Sequence, residues 1–251
     1  MSKLLAIVPA YNEVGAVAGT VAEIRRHAPE FDVVVVDDGS TDGTAGAARA
    51  AGARVLRLPF NLGIGGAVQA GYVYAAEQGY DVAVQVDGDG QHDPRCLPVL
   101  LDHLRSRPDL NMVTGSRFLA ADGHGYRSSA SRRLGIRIFG GILSAVVGRR
   151  VTDPTSGLRM TDRRGIELFA RDYPHDYPEV EAVLLMHHHR LNAEELPVRM
   201  RERRAGVSSI NATRSVYYMV KVLLAIFVGL LRTRPAVDPG DEAPVRAQQA
   251  V

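Results

Sequence analysis

The chain has 251 residues, 46% of them hydrophobic and 23% charged, which fits one globular domain and excludes wholesale disorder. Its one cysteine, Cys96, excludes a disulfide scaffold and a cysteine-rich zinc module, and residues 1–9 read as a strand rather than a leader, so a cytoplasmic, reducing compartment is expected. The net charge of +2 divides unevenly, −5 over residues 1–116 and +7 over residues 117–251: the acidic half suits a metal, and the basic half suits phosphates or an anionic membrane surface.

Residues 4–9 (LLAIVP) are apolar, and helical spacing over 14–27 ends before Pro29. Residues 32–36 (DVVVV) have the β-branched run of a strand buried on both faces. Residues 45–51 read as helix, 54–58 as strand, 65–78 as a helix stopped by Gly79, and 81–86 (DVAVQV) as strand. Residues 94–107 form a helix with proline in its first turn, and 112–115 a further strand. This alternation predicts a doubly wound, mostly parallel α/β sheet with right-handed crossovers. Beyond it, 120–131 reads as a mobile loop, 132–147 as an amphipathic helix and 151–161 as irregular. Residues 178–188 read as helix, 195–201 as a short strand, 215–231 as an apolar helix, and the tail from 233 as disordered.

Chemistry concentrates in the segments that follow the strands, where a parallel sheet opens its ligand crevice. After DVAVQV comes Asp87-Gly88-Asp89-Gly90-Gln91-His92-Asp93. Residues i and i+2 of an extended chain share a face, so Asp87 and Asp89 can aim two carboxylates at one point. Hard oxygens with open positions suit Mg²⁺ or Mn²⁺ bridging to phosphate, with Gln91 or His92 as supplements. An Asp/Gly turn is the plainer reading of a lone motif of this kind. Asp37-Asp38-Gly39-Ser40-Thr41 follows DVVVV; one aspartate can accept from a base N–H or a ribose hydroxyl, and Ser40 or Thr41 can cap the next helix. Pro9-Ala10-Tyr11-Asn12-Glu13 follows the first strand and offers a flat ring and an acceptor. The glycines at 63, 65, 66 and 71 fail the dinucleotide spacing, since Val68 stands where a Gly or Ala is required. They form either a floor under a sugar or close helix–sheet packing.

Taken in order, VPAYNE, VVDDGSTDGT, NLGIGGAVQAG, VDGDGQHDP, GSR, DPTSGLRM and RERRAGVSSI resemble the family 2 inverting glycosyltransferases of the GT-A fold, in particular the dolichyl- or polyprenyl-phosphate sugar synthase branch. The resemblance runs from residue 7 to about 210, and VDGDGQHDP with DPTSGLRM is its specific part. It implies that Pro9, Tyr11, Glu13 and Asp38 contact a nucleoside, with Gly65 in the nucleotide-binding set. Asp87, Asp89 and Gln91 would surround a Mg²⁺ or Mn²⁺ ion and the diphosphate. Arg117 would lie near the donor or acceptor phosphate, Asp153, Ser156 and Gly157 would line the acceptor side, and Arg132 would join the phosphate-binding arginines. Arg201, Arg203 and Arg204 would belong to a loop closing over the phosphates. Where the branch shows Gly-x-Ser-Lys, this chain has Gly206-Val207-Ser208-Ser209, so the lysine contact is missing.

The expected reaction moves a sugar from a nucleoside diphosphate to polyprenyl phosphate. A cation on Asp87 and Asp89 would neutralise the leaving group, and arginines would add bidentate contacts. A lipid phosphate is already an anionic nucleophile. A sugar hydroxyl would need a base, for which Asp153 is the candidate. The apolar run at 216–231 is 16 residues with one lysine, shorter than the ~20 needed to span a bilayer. It reads as an interfacial helix or as a docking helix for a small membrane-protein partner, which would place the chain at the inner face of the plasma membrane. No nucleic-acid motif is present. The alternatives are a same-fold transferase acting on a hydroxyl acceptor and a sugar-nucleotide-binding protein without turnover.

Overall fold

Successive side chains of a strand point to opposite faces, and the first strand shows what that does here. In β1 (Leu4–Ala10), Leu4, Ala6 and Val8 enter one apolar cluster and Leu5 and Ile7 the other. β2 (Phe31–Asp37) repeats the division, Val33 and Val35 against Val34 and Val36. Both faces are therefore dry, as the unbroken DVVVV run requires.

The structure, a computed structural model, describes residues 2–119, 130–175 and 178–201. They form a seven-stranded sheet in the order β3-β2-β1-β4-β6-β5-β7, with β3 (Arg54–Arg57), β4 (Val82–Gln85), β5 (Met112–Ser116), β6 (Arg159–Asp162) and β7 (Ala193–Pro197). Helices α1 (Val17–His27), α2 (Thr44–Ala50) and α4 (Leu97–Ser106) cover one face, and a 3-10 turn, Pro94–Cys96, leads into α4. Helices α3 (Gly63–Glu77), α6 (Arg163–Arg171) and α7 (Pro178–His188) cover the other. α5 (Ala130–Val147) packs Phe139 and Leu143 on Val180 and Leu184 of α7. No helix among the described residues is long and apolar enough to cross a membrane.

The sequence reading departs from this structure in four places. The 151–161 stretch is not wholly irregular, because it ends in β6, which pairs antiparallel with both β4 and β5. α6 was not foreseen; Asp162 starts it by accepting from the Gly165 amide at 2.9 Å. The last strand lies at Ala193–Pro197 and not at 195–201. Neither Ser40 nor Thr41 caps α2, which begins after Gly43 without a side-chain cap. Residues 120–129 of the loop expected at 120–131 lie outside the described residues, and its last two belong to α5; the helix at 215–231, the tail, Arg203 and Arg204 also lie outside.

β6 is the element that shapes the crevice. It runs against its neighbours, so its first residue, Arg159, is in register with Gln85 near the end of β4 and Thr114 in β5. The segment leading into β6 therefore reaches the same sheet edge as the segments that leave β1, β2, β4 and β5.

Candidate active site

Five segments meet at that edge. The first two are tied together directly: the amides of Asn12 and Glu13, which follow β1, donate to Ser40 Oγ and Thr44 Oγ1, both at 2.9 Å. Asn12 adopts φ 54°, a left-handed conformation that asparagine tolerates better than most residues. Ser40 and Thr44 thus fix the loop carrying Tyr11 and Glu13, and the Asp42 carboxylate takes the Thr44 amide at the start of α2 at 2.9 Å. Tyr11 is 47% exposed. Pro9 pairs with Val36 at the end of β1, and its carbonyl accepts from the Gly88 amide.

Asp38 is buried, and both of its oxygens accept from backbone amides, Leu62 at 2.7 Å and Gly63 at 2.9 Å. Its carboxylate therefore sits on the N-terminus of α3, where the helix's unpaired amides and dipole favour negative charge. Asp37, also buried, accepts from the Ser40 amide and faces Arg57 at 3.5 Å. Gly65 is a close-packing glycine: a Cβ there would lie 2.5 Å from the Pro174 carbonyl oxygen. The backbone of Pro174 and His175, rather than a sugar-sized space, adjoins it.

Asp87 leaves the end of β4 with its side chain 35% exposed. Gln85 donates to its Oδ1 at 3.0 Å, and its own amide donates to His92 Nδ1 at 3.0 Å. His92 is buried, with Nε2 3.6 Å from Asp87 Oδ2. Its Nδ1 is taken, so it braces the aspartate from beneath. Asp89 Oδ1 accepts from the Gln91 amide at 3.0 Å. Gly157 faces this carboxylate: a Cβ there would lie 3.0 Å from Asp87 Oδ2, so only glycine leaves the approach open.

The donor set fits a small hard cation. Mg²⁺ and its kin are held by one or two carboxylates, with waters and substrate phosphates completing the shell. The described residues accordingly hold no cluster of three or more His, Cys, Asp or Glu able to bind a metal. Asp87 and Asp89 offer the carboxylates, and the glycine at 157 keeps the space beside them clear.

The acceptor-side residues are drawn into a different arrangement. Arg117 Nε and Nη2 donate to Asp153 Oδ2 and Oδ1 at 2.7 Å each, and the Arg117 amide adds a bond at 3.0 Å. The Thr155 hydroxyl donates to Oδ1 at 3.2 Å. The pair is buried, 8% and 0% exposed. A carboxylate has about four lone-pair sites, and all of those on Asp153 are engaged. Glu195 accepts from the amides of Thr152 and Asp153 at 2.8 and 3.0 Å and holds the turn from below. Ser156 is buried, its hydroxyl bonded to the Gly115 carbonyl at 2.6 Å. Arg201 pairs with Glu23 and Asp93, and its amide bonds the Gln91 carbonyl at 2.9 Å. It anchors the chain beside the Asp-Gly loop. Arg132 belongs to α5, but its side chain lies outside what the structure describes.

Two residues that the sequence reading did not assign stand behind the site. Arg159 is 1% exposed; Nε donates to the Ser156 carbonyl at 3.0 Å, Nη2 reaches the Pro154 and Glu179 carbonyls, and Nη1 has no hydrogen-bond partner among the described residues. It joins the Asp-Pro-Thr-Ser-Gly turn to the start of α7. Glu179, in the first turn of α7, has its carboxyl pushed above the usual range by burial, with the Asp87 charge acting in the same sense and the Arg159 charge opposing. An arginine inside an otherwise strand-like LRM triplet was the available signal for the first. The second had none, because its neighbours come from distant parts of the chain.

The sequence profile described as Glycosyl transferase family 2 matches residues 5–169, which contain the segments that follow β1, β2, β4 and β5 and the one that leads into β6. The chain belongs to glycosyl transferase family 2. Within the family it is 37% identical over 163 residues to the undecaprenyl-phosphate mannosyltransferase of Micrococcus luteus, covering 62% of this chain and 65% of that protein, just under two thirds of its length. It is 30% identical over 230 residues to the polyprenol monophosphomannose synthase of Mycolicibacterium smegmatis, covering 88% and 85%. These relatives bear out the resemblance to the polyprenyl-phosphate branch. The structure of glucosyl-3-phosphoglycerate synthase from Mycobacterium tuberculosis with phosphoglyceric acid superposes with a TM-score of 0.70 at 19% identity, covering 95% of this chain and 82% of that one. The same enzyme with Mn²⁺, uridine diphosphate and glucosyl-3-phosphoglycerate gives 0.67 at 20% over the same shares. At these identities the likeness is one of fold, and the fold is GT-A.

Proposed function

We propose that this family 2 member is an inverting glycosyltransferase that moves a sugar from a nucleoside-diphosphate sugar to polyprenyl phosphate at a membrane surface, on the cytoplasmic side where such donors are made. The observation that carries the choice of acceptor is the saturated carboxylate of Asp153. With Arg117 and Thr155 on all of its acceptor positions, it has no site left for a proton from a hydroxyl. An acceptor that arrives as an anion needs none removed. The names of the two bacterial relatives support the same class of acceptor.

In this reading Pro9, Tyr11 and Glu13 flank the nucleoside, and Asp38 shapes its pocket by holding the start of α3. Asp87 and Asp89, with Gln91 beside them, would hold a Mg²⁺ or Mn²⁺ ion. Such an ion supplies positive charge against the departing diphosphate. Arg117, oriented by Asp153, is the candidate for a phosphate contact, and Ser156 and Gly157 line the acceptor side. Arg203 and Arg204 follow the anchored Arg201 and are candidates for further phosphate contacts, with Arg132.

One observation favours a second reading. Glu179 is a carboxyl raised by burial in reach of Asp87 and Arg159, the environment of a general base. A hydroxyl acceptor would use it. Incubation of the full chain with a nucleotide-sugar panel and Mn²⁺, with polyprenyl phosphate or saccharide acceptors, separates the two by product chromatography. The lipid-linked sugar is expected, and Glu179→Gln should leave its formation intact. A sugar–saccharide product lost in Glu179→Gln would establish the second reading. Asp89→Ala should reduce transfer by at least about 10²-fold, as removal of a key charge-stabilising group does, with an unchanged far-UV circular dichroism spectrum.

A further inference from the structure

Among the described residues, two aromatic side chains stand exposed, Tyr11 at 47% and Phe60 at 63%. An exposed phenylalanine contributes little to folding, since burial of its ring is what stabilises. Yet the backbone beneath Phe60 is held firmly. The Leu58 amide donates to the Asp37 carbonyl at 2.9 Å on one side, and Asp38 takes the Leu62 and Gly63 amides on the other. Between these anchors the chain presses onto Gly39, where a Cβ would lie 2.7 Å from the Phe60 carbonyl carbon and where φ is +71°. Only glycine satisfies both conditions.

The loop of Tyr11 is tied to the same turn. The Asp38 amide donates to the Ala10 carbonyl at 2.9 Å and the Asn12 amide to Ser40 Oγ at 2.9 Å, so the residues on either side of Tyr11 are bonded to those on either side of Gly39. Two exposed rings are thus mounted on loops clamped to one glycine turn. Rings held in place before a ligand arrives lose little entropy when it stacks on them.

We propose that Phe60 is a nucleobase-stacking residue that, with Tyr11, forms the base subsite of this chain. The inference rests on the reading of the crevice as a nucleotide-sugar site and adds a base-binding residue to it. Stacking on an aromatic face accepts any base but requires one, so Phe60 contributes affinity for the nucleoside and none for the diphosphate.

The chain contains no tryptophan, so Phe60→Trp in the full-length protein carries its only indole. The probes are uridine, guanosine and adenosine diphosphates with Mn²⁺, pyrophosphate with Mn²⁺, and phosphatidylglycerol vesicles. The nucleotide that most raises the melting temperature of the unaltered chain should change the indole emission saturably, and pyrophosphate should not. Phe60→Ala should weaken binding of that nucleotide about tenfold, the size of one lost stacking contact, with pyrophosphate binding unchanged and Phe60→Tyr close to the unaltered chain. A silent indole under a nucleotide that stabilises the protein overturns the inference and leaves the proposed function standing. Failure of every nucleoside diphosphate to stabilise the unaltered chain overturns both. An emission shift with vesicles and none with nucleotides overturns the inference in favour of a membrane contact.

Discussion

Along the crevice rim from β1 to β3, acidic and hydroxyl side chains accept from backbone amides: Ser40 from Asn12, Thr44 from Glu13, Asp38 from Leu62 and Gly63. Along the rim from β5 to α7 the polarity is reversed, and arginines donate to a carboxylate or to carbonyls: Arg117 to Asp153, Arg159 to Ser156, Pro154 and Glu179. The first rim is built from bonds that join neighbouring loops. The second depends on two buried guanidinium groups, those of Arg117 and Arg159. The first should therefore yield gradually to single substitutions and the second sharply, because an unpaired charge in a dry interior costs far more than a lost neutral hydrogen bond.

The contrast is tested most severely at the buried pair. Asp153→Asn and Arg117→Met should each cost about 3–5 kcal/mol of unfolding free energy, measured by urea denaturation. The double variant Arg117→Met/Asp153→Leu should lose less than the sum of its parts, since neither charge is then stranded. Single losses below about 1 kcal/mol would mean that this pair behaves like a surface one and would remove the contrast. Asp38→Ala should cost about 2–3 kcal/mol, the range of two charge-assisted bonds, and Asp38→Asn less, because an amide oxygen can still accept from one of the two amides. Ser40→Ala should cost about 1 kcal/mol. Its signature is faster hydrogen exchange at the Asn12 amide, with the Glu13 amide, held by Thr44, still protected.

The same contrast explains what could be read from the chain. The β1–β3 rim and the core strands follow local rules: DVVVV is β2 and LLAIVP is most of β1, and the motif residues appear where strands end. β6 follows no such rule. Arg-Met-Thr-Asp alternates like a strand exposed on one side, yet Arg159, Met160 and Thr161 are all buried, since the arginine finds carbonyls that no local pattern announces. α6 escaped for a similar reason, because Gly165 in its first turn reads as a breaker. It is required there: a Cβ would lie 1.8 Å from Thr161 Oγ1. Asp153 was recognisable as a site residue, but its role was not. Only the folded chain brings Arg117, 36 residues earlier, onto both of its oxygens.

The reversed strand has a consequence for how such a site can change over time. In an all-parallel sheet every loop that touches the ligand comes after a strand and must then begin a crossover, so its length is coupled to the next helix. β6 breaks that pattern, because residues 153–158 come before it, between α5 and β6. Its other end, at Asp162, opens onto the opposite edge of the sheet, where α6 begins at once. Insertions before Arg159 can thus remodel what the crevice admits while the layers stay as they are, and insertions after Asp162 change only the back of the molecule.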